Sequence, residues 1–236
     1  MMKLVKNLSG FEKMLWLSSV LLLTVTFLVT KNNDWLMLTA SLVGLTALIF
    51  VAKGDALGQL LTIVFSVLYA FISYRFRYFG EMITYLGMTA PIAFLSLITW
   101  LYHPYADREV KVNHLRIRSW IVLNLSTGIV TYGFYYILSA FGTPNIVFST
   151  ISITTSFMAS ALMMLRSPYY AIAYAANDIV LIILWILASM SDIKYIPMVL
   201  CFVIFLISDI YGFLSWKSMK IRQQQELNLL HYRTEE

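Results

Sequence analysis

Apolar residues in this chain are gathered into stretches of about 17 to 25, the length an α-helix needs to cross a hydrocarbon core roughly 30 Å thick. Eight can be marked off, at 14–30, 35–53, 56–74, 79–102, 119–141, 146–165, 169–190 and 195–216. No separate soluble domain fits in what remains. Inside lipid a segment must satisfy its own backbone N–H and C=O groups, so each stretch is expected to be a helix. The expected fold class is therefore an all-α membrane protein of eight transmembrane helices. Composition agrees: 60% of the 236 residues are hydrophobic, only 12% are charged and the mean hydropathy is +0.76, which excludes an ordinary soluble domain.

Lysine and arginine set the expected orientation, because cytoplasmic loops are enriched in both. With both termini inside, the cytoplasmic face receives Lys3, Lys6, Lys13, Lys53, Arg108, Lys111, Arg116, Arg118, Arg166, Lys217, Lys220, Arg222 and Arg233, thirteen of the 17 basic residues. The outer face receives Lys31, Arg75, Arg77 and Lys194. The net charge of +5 is then topogenic and no nucleic-acid partner is implied. The first span resembles a signal peptide in following three lysines, but its flank KNNDW lacks a small-residue cleavage pattern, and it reads as retained. Cys201, the single cysteine, lies within the last span, so disulfides and cysteine-rich metal sites are excluded and a packing role is expected.

Internal spacing suggests duplication. Trp100 closes the fourth span and Trp216 the eighth, 116 residues later; Met82 and Met198 keep the same offset near the starts of those spans. The second and sixth spans end alike in VAKG and MLRS. Two parallel three-helix repeats joined by one linker span follow, since an odd linker restores the same orientation. The organisation is an N-terminal segment and extra helix (1–34), a first repeat (35–102), a loop and linker helix (103–141), a second repeat (142–216) and a solvated cytoplasmic tail (217–236).

The seventh span, within RSPYYAIAYAANDIVLIILW, places Asn177 and Asp178 at membrane depth. A carboxylate there costs roughly 2.5–3.5 kcal/mol on insertion scales, so it is expected to face a cavity or partner. At helical spacing Tyr170, Tyr174, Asn177, Asp178, Leu181 and Trp185 share one side, which reads as the wall of a binding site. Polar faces recur at Gln59, Thr62, Ser66, Tyr69 and Ser73 in the third span, at Asn124, Thr127, Thr131 and Tyr135 in the fifth, and at Ser149, Ser152, Ser156 and Ser160 in the sixth. The serine face is expected to be packing, since small residues let membrane helices approach closely. Gln59 and Tyr69 are too large for that role. Glu81 opens the fourth span, where a carboxylate complements a helix N-terminus; Asp209 is deep in the eighth and reads equally as structure or site.

Several chemistries are set aside. The chain has no GxxxxGK[ST] loop and no HExxH pair, and His103, His114 and His231 lie outside the spans or at their edges. No cofactor or metal is expected. An intramembrane aspartyl enzyme would need Asp178 and Asp209 to converge, without the local motifs such enzymes use.

The segment YRFRYFGEMITYLGMTAPIAFLSLITW resembles the first-repeat segment of the PnuC family of bacterial vitamin transporters, through Phe79, Gly80, Glu81, Met82, Pro91 and Trp100. In the second half LMMLRSPYYAIAYAANDIVLIILW and the closing IYGFLSW resemble that family's basic turn, aromatic helix with Asn or Asp, and final Gly-aromatic-x-x-Trp; VAKG at 51–54 also fits. The resemblance covers about residues 35 to 220 and implies a SWEET-like 3+1+3 core of seven helices with an extra N-terminal helix, assembled as a homotrimer in the bacterial cytoplasmic membrane. It also implies facilitated diffusion of nicotinamide riboside, thiamine, riboflavin or deoxynucleosides, trapped by a cytoplasmic kinase. Two features depart from the riboside branch. Its Trp-x-x-Trp pair is replaced by Tyr170 and Ala173 or by Ala171 and Tyr174, depending on register, and its Pro-Met-Gln by Pro91, Ile92 and Ala93.

A nucleoside offers one flat ring and a hydroxylated sugar, so its site should combine aromatic faces with neutral hydrogen-bonding groups. Tyr174 and Tyr69 suit the ring, with Tyr170 and Tyr85 beside them; Asn177, Gln59, Asn124 and Thr62 suit the hydroxyls. Asp178, with Asp209, suits a cationic ring. The expected activity is uniport of nicotinamide riboside, with deoxynucleosides or thiamine as alternatives and a non-transporting membrane scaffold as the reading of another class.

Overall fold

The computed structural model describes residues 8–29, 34–75, 78–106, 109–143 and 145–234, for 230–234 the backbone alone. Lys3, Lys6, Lys31, Arg77, Arg108 and the side chain of Arg233 lie outside the described residues. Eight helices follow in order: α1 (Gly10–Val29), α2 (Trp35–Ala52), α3 (Leu57–Arg75), α4 (Phe79–Tyr102), α5 (Ile117–Ala140), α6 (Ile146–Met164), α7 (Tyr170–Ser189) and α8 (Ile196–Thr234). All eight are long and apolar enough to cross a membrane, as the sequence leads one to expect. Their outward faces carry Leu17, Leu21, Leu101, Val122 and Ile129, exposed in the isolated chain and suited to lipid.

The core binds the second to fourth helices to the sixth to eighth. Helix α2 ends with Gly54 in the left-handed region at φ +69°, and α6 ends with Arg166 at φ +57°. At both ends the chain makes the same reversal: Gly54 N donates to Val51 O and Asp55 N to Phe50 O, just as Arg166 N donates to Met163 O and Ser167 N to Leu162 O. This is the Schellman pattern, which satisfies two of the carbonyls a helix end leaves open. Each end then accepts one indole from across the molecule. Trp216 Nε1 donates to Val51 O at 2.8 Å and Trp100 Nε1 to Met163 O at 3.1 Å, with the two ring centroids 5.3 Å apart. Both tryptophans are almost wholly buried. A third pair with the same offset meets farther along the bundle, where Trp185 Nε1 donates to Tyr69 Oη at 3.1 Å.

The connection between α4 and α5 runs across this end of the bundle. A short hairpin, β1 (Pro104–Ala106) with β2 (Glu109–Val110), lets Val110 N donate to Gly54 O, and Asn113 N donates to Arg166 O. The segment expected as a solvated tail is mostly exposed over 217–229, but it is helical: α8 continues without a break to Thr234 and clasps the hairpin through Met219, Arg222 and Gln223. Gln223 is buried, its Oε1 accepting from Val112 N at 2.9 Å and its Nε2 donating to Val110 O and Glu109 Oε1. Arg222 pairs with Glu109 and Tyr105 donates to Glu226. The buried loop backbone needs partners, and a helix carried past the membrane supplies them.

Two helices lie at the margin of this core and add only a few buried residues to it, Leu23 and Phe27 from α1 and Leu123 and Leu138 from α5. Helix α1 is held at its start, where Ser9 and Glu12 cap each other and Glu12 also binds Lys53 Nζ at 3.2 Å and Tyr211 Oη at 3.0 Å. Helix α5 buries few side chains and leaves Tyr132, Tyr135 and Tyr136 exposed. Within α4, residues Tyr85–Thr89 form a π turn, with Ala90 N reaching Tyr85 O. Pro91, next in the chain, has no N–H for Gly87 O and its ring crowds that carbonyl, so a widened turn relieves both problems. Replacing Trp100 or Trp216 by phenylalanine removes the second hydrogen bond to a carbonyl that its own helix end also satisfies, and should cost roughly 0.5–1.5 kcal/mol. Thermal unfolding in detergent is expected to show similar losses for the two variants.

Candidate functional site

Six helices converge on a cavity of about 60 Å³ in the middle of the bundle. Helix α7 contributes Tyr174, Asn177 and Asp178, and α8 contributes Phe202, Phe205 and Asp209. Thr62 and Phe65 come from α3, Tyr85 and Thr89 from the π turn of α4, Ser156 and Met163 from α6, and Gly44, Ala47, Leu48 and Val51 from α2. Gly44 is needed there: a Cβ would stand 2.7 Å from Phe205 Cζ and 2.8 Å from Phe65 Cδ2.

The polar groups are aimed by neighbours rather than left to rotate. Asn177 Oδ1 accepts from Ser152 Oγ at 3.1 Å and Thr155 Oγ1 at 3.0 Å, which fastens the amide to α6. Tyr174 Oη shares a 2.8 Å hydrogen bond with Ser160 Oγ. Asp178 and Asp209, on adjacent helices, both line the cavity with buried side chains, and Asp178 Oδ2 has no hydrogen-bond partner. An orphaned carboxyl oxygen facing an aromatic cavity is a vacancy for a donor or a cation. The rings are close-set: Phe65 meets Tyr85 at 5.9 Å and Phe205 at 5.7 Å.

Of the ten residues expected from sequence to bind substrate, six line this cavity: Thr62, Tyr85, Tyr174, Asn177, Asp178 and Asp209. Tyr170 is buried one turn away, packed on Trp216 at 5.1 Å and Tyr174 at 6.3 Å. Tyr69 sits behind the wall, its hydroxyl taken by Trp185 and its ring 4.4 Å from Tyr85. Gln59 points to Met163 Sδ, with its Oε1 unpartnered and buried. Asn124 departs furthest: it is exposed on the peripheral α5 and bonds its own helix at Trp120 O, whereas Thr127 and Thr131 of the same expected face turn inward, Thr131 bonding Thr154 of α6 at 2.9 Å. Missed were Thr89 and the phenylalanines. Thr89 Oγ1 is buried without a partner, and the signal available for it was Pro91, which predisposes the preceding turn to widen. Ser149, Ser152, Ser156 and Ser160 are all buried where α6 meets its neighbours, and Cys201 is buried in the core.

A family model described as nicotinamide mononucleotide transporter matches residues 34–218. The chain belongs to that family. Among relatives, it is 26% identical over 210 residues to the nicotinamide riboside transporter PnuC of Neisseria mucosa, spanning 86% of this chain and 80% of the relative. To the nicotinamide riboside transporter PnuC of Haemophilus influenzae it is 21% identical over 216 residues, or 89% and 92% of the two chains. A crystal structure of the vitamin B3 transporter PnuC superposes with a TM-score of 0.81 at 26% identity, covering 92% of this chain and 94% of that one. The resemblance to the PnuC family read from Phe79–Met82, Pro91, Trp100 and the closing Gly212–Trp216 segment is therefore a true relationship, and the eight-helix bundle is the family's fold.

In this cavity of a PnuC-family chain the two acids are the costly feature, since both are buried within one apolar wall. Asp209→Asn keeps the shape and removes one acid. The unliganded variant is expected to melt about 2–4 °C higher, on the order of 1 kcal/mol at this chain length. Thermal unfolding without ligand checks this; a lower melting point would mean that Asp209 is held by a structural partner.

Proposed function

We propose that this chain carries nicotinamide riboside, or a closely similar nucleoside, across the bacterial cytoplasmic membrane by facilitated diffusion. The observation that supports this best is the central cavity, where aromatic walls surround an anchored amide, a tyrosine hydroxyl and a carboxyl pair. Nicotinamide riboside has a cationic pyridinium ring, for which aromatic faces and a nearby carboxyl group are favourable partners, and ribose hydroxyls that an amide can bind. Asp178 and Asp209 would hold the ring charge, Tyr174 and Tyr85 its faces, and Asn177 and Thr62 the sugar. The relatives' description as nicotinamide riboside transporters points the same way.

A cavity of about 60 Å³ is far below the roughly 300–1,000 Å³ of ligand sites, so binding requires the walls to part. In this reading residues 35–102 and 142–216 are the two repeats, moving about a midplane site by alternating access, with α5 as linker. Both termini are cytoplasmic by the lysine and arginine distribution, and the tryptophan braces, the hairpin and the α8 clasp then close the inner side. A cytoplasmic kinase traps the product, and the exposed tyrosine face of α5 serves a homotrimer. Asp178 and Asp209 do converge, as an aspartyl hydrolase would require, but the chain belongs to a transporter family and the reading here is non-enzymatic.

A second reading keeps the mechanism and changes the cargo to a deoxynucleoside, thiamine or riboflavin. It draws on the replaced tryptophan pair: Tyr170 packs on Trp216 and Tyr174 is tied to Ser160, so the rings available for stacking differ from a Trp-x-x-Trp site.

Uptake of labelled vitamins and nucleosides into proteoliposomes, without ion gradient or ATP, separates these outcomes. Nicotinamide riboside entry is expected; entry of thymidine or thiamine alone would change the cargo, a requirement for an imposed gradient would end the uniport mechanism, and no ligand-dependent thermal shift at all would favour a scaffold. Asp178→Asn and Tyr174→Ala are each expected to slow uptake about tenfold or more, while Asn124→Ala stays within roughly twofold. Equal effects would mean that the α7 stripe is packing.

A further inference from the structure

A second polar and aromatic cavity lies toward the end of the bundle opposite the tryptophan braces. It is small, about 10 Å³, and Tyr78, Glu81, Thr143, Leu181 and Trp185 are among the residues that line it. Glu81 is 8% exposed, and its Oε2 has no hydrogen-bond partner; Thr143 Oγ1, in the same cavity, has none either. Buried polar atoms without partners are rare because each costs the full desolvation of the group, about 1–3 kcal/mol and more when charged. Two in one gap mark a place built for something else. A carboxylate in the first turn of α4 does complement the helix N-terminus, but that role does not require burial against Trp185 or leave an oxygen unmet.

The cavity is also placed in series with the central one. Glu81 stands one helical turn before Tyr85, which lines the central cavity. Between the two cavities runs a chain of rings: Tyr85 to Tyr69 at 4.4 Å, Tyr69 to Trp185 at 6.5 Å with a hydrogen bond between them, and Trp185 to Tyr78 at 5.6 Å. The wall separating the cavities is thus aromatic, and the group waiting on its far side is an acid.

We propose that Glu81, with Trp185 and Tyr78, forms an entry subsite for flat organic cations, where a pyridinium ring is held against the aromatic partition before it reaches Asp178 and Asp209. Thr143 supplies a hydroxyl to the same ligand. The subsite selects charge at the outer end of the bundle, ahead of the groups that recognise the sugar. This rests on the cationic-substrate reading above, and its consequence is specific: Glu81 sets how strongly a cation is preferred over a neutral molecule of the same shape.

The test compares uptake of nicotinamide riboside with that of its neutral dihydro form in proteoliposomes. The ratio of KM for the neutral to that for the cationic form is expected to fall about tenfold in Glu81→Gln and to be largely retained in Glu81→Asp. An unchanged ratio in a folded Glu81→Gln protein overturns the proposal, as does an equal loss in both variants, which is what a helix-end or packing role would give. If the wild-type protein moves neither riboside, the transport reading fails, and the subsite is judged by binding of N-methylnicotinamide alone. Saturable quenching of tryptophan fluorescence by that cation, lost in both Glu81→Gln and Trp185→Phe, supports the subsite. Quenching that is absent, or the same in all three proteins, refutes it.

Discussion

The two indole-to-carbonyl bonds that cross between the halves of the bundle are the constraint on which the rest of this structure turns. Two carbonyls at buried helix ends, those of Val51 and Met163, accept from Trp216 and Trp100 on the opposite half as well as from their own chain reversals. The ends of α2 and α6 are thereby fixed against α8 and α4. The same two ends offer Gly54 O and Arg166 O to the connecting loop, and Gln223 of α8 holds that loop in place. One end of the molecule is thus a continuous hydrogen-bonded plate, while the other is closed mainly by tilted and edge-on ring contacts. The contrast has a mechanical sense, since aromatic contacts are less directional than buried hydrogen bonds and can slide.

Between plate and rings lies a cavity whose polarity is concentrated in a few anchored groups. Apolar walls raise the cost of every unpaired polar atom and strengthen every paired one, so the carboxyls of Asp178 and Asp209 are both a liability without ligand and a strong attraction for a suitable one. Glu81 repeats that arrangement nearer the surface. Acids thus stand at two depths, separated by Tyr85, Tyr69 and Trp185, the arrangement on which the proposed cation path rests. The π turn at Tyr85–Thr89 serves the same region, since it swings Tyr85 and Thr89 into the cavity wall at the level of Phe65.

Much of this was legible in the residue order because membrane helices leave few options. Span limits followed from length and hydropathy, and the α7 stripe was readable because Tyr174, Asn177 and Asp178 share one helical face and lipid excludes them. Asn124 was not readable in the same way. Its helix carries a polar face too, and only the packing of α5 decides that Thr127 and Thr131 turn inward while Asn124 stays outside. Gln59 and Tyr69 lie on the inward side of α3, yet their partners Met163 and Trp185, 104 and 116 residues away, divert them from the cavity. The tail looked solvated because its charges alternate. Nothing local announced that Gln223 would be buried by a hairpin joined to a different helix.

By itself, then, the sequence determined the solvent of each segment: which stretches must lie in lipid, that they are helical, and that an acid within them needs a reason. These follow from transfer energies and backbone hydrogen bonding, which act residue by residue. The tertiary structure alone decided which faces meet. Convergence of Asp178 with Asp209, the cross-braced tryptophans and the orphaned oxygens of Glu81 and Asp178 depend on contacts between residues distant in the chain. Such contacts are set by how whole helices pack, and no local pattern encodes them.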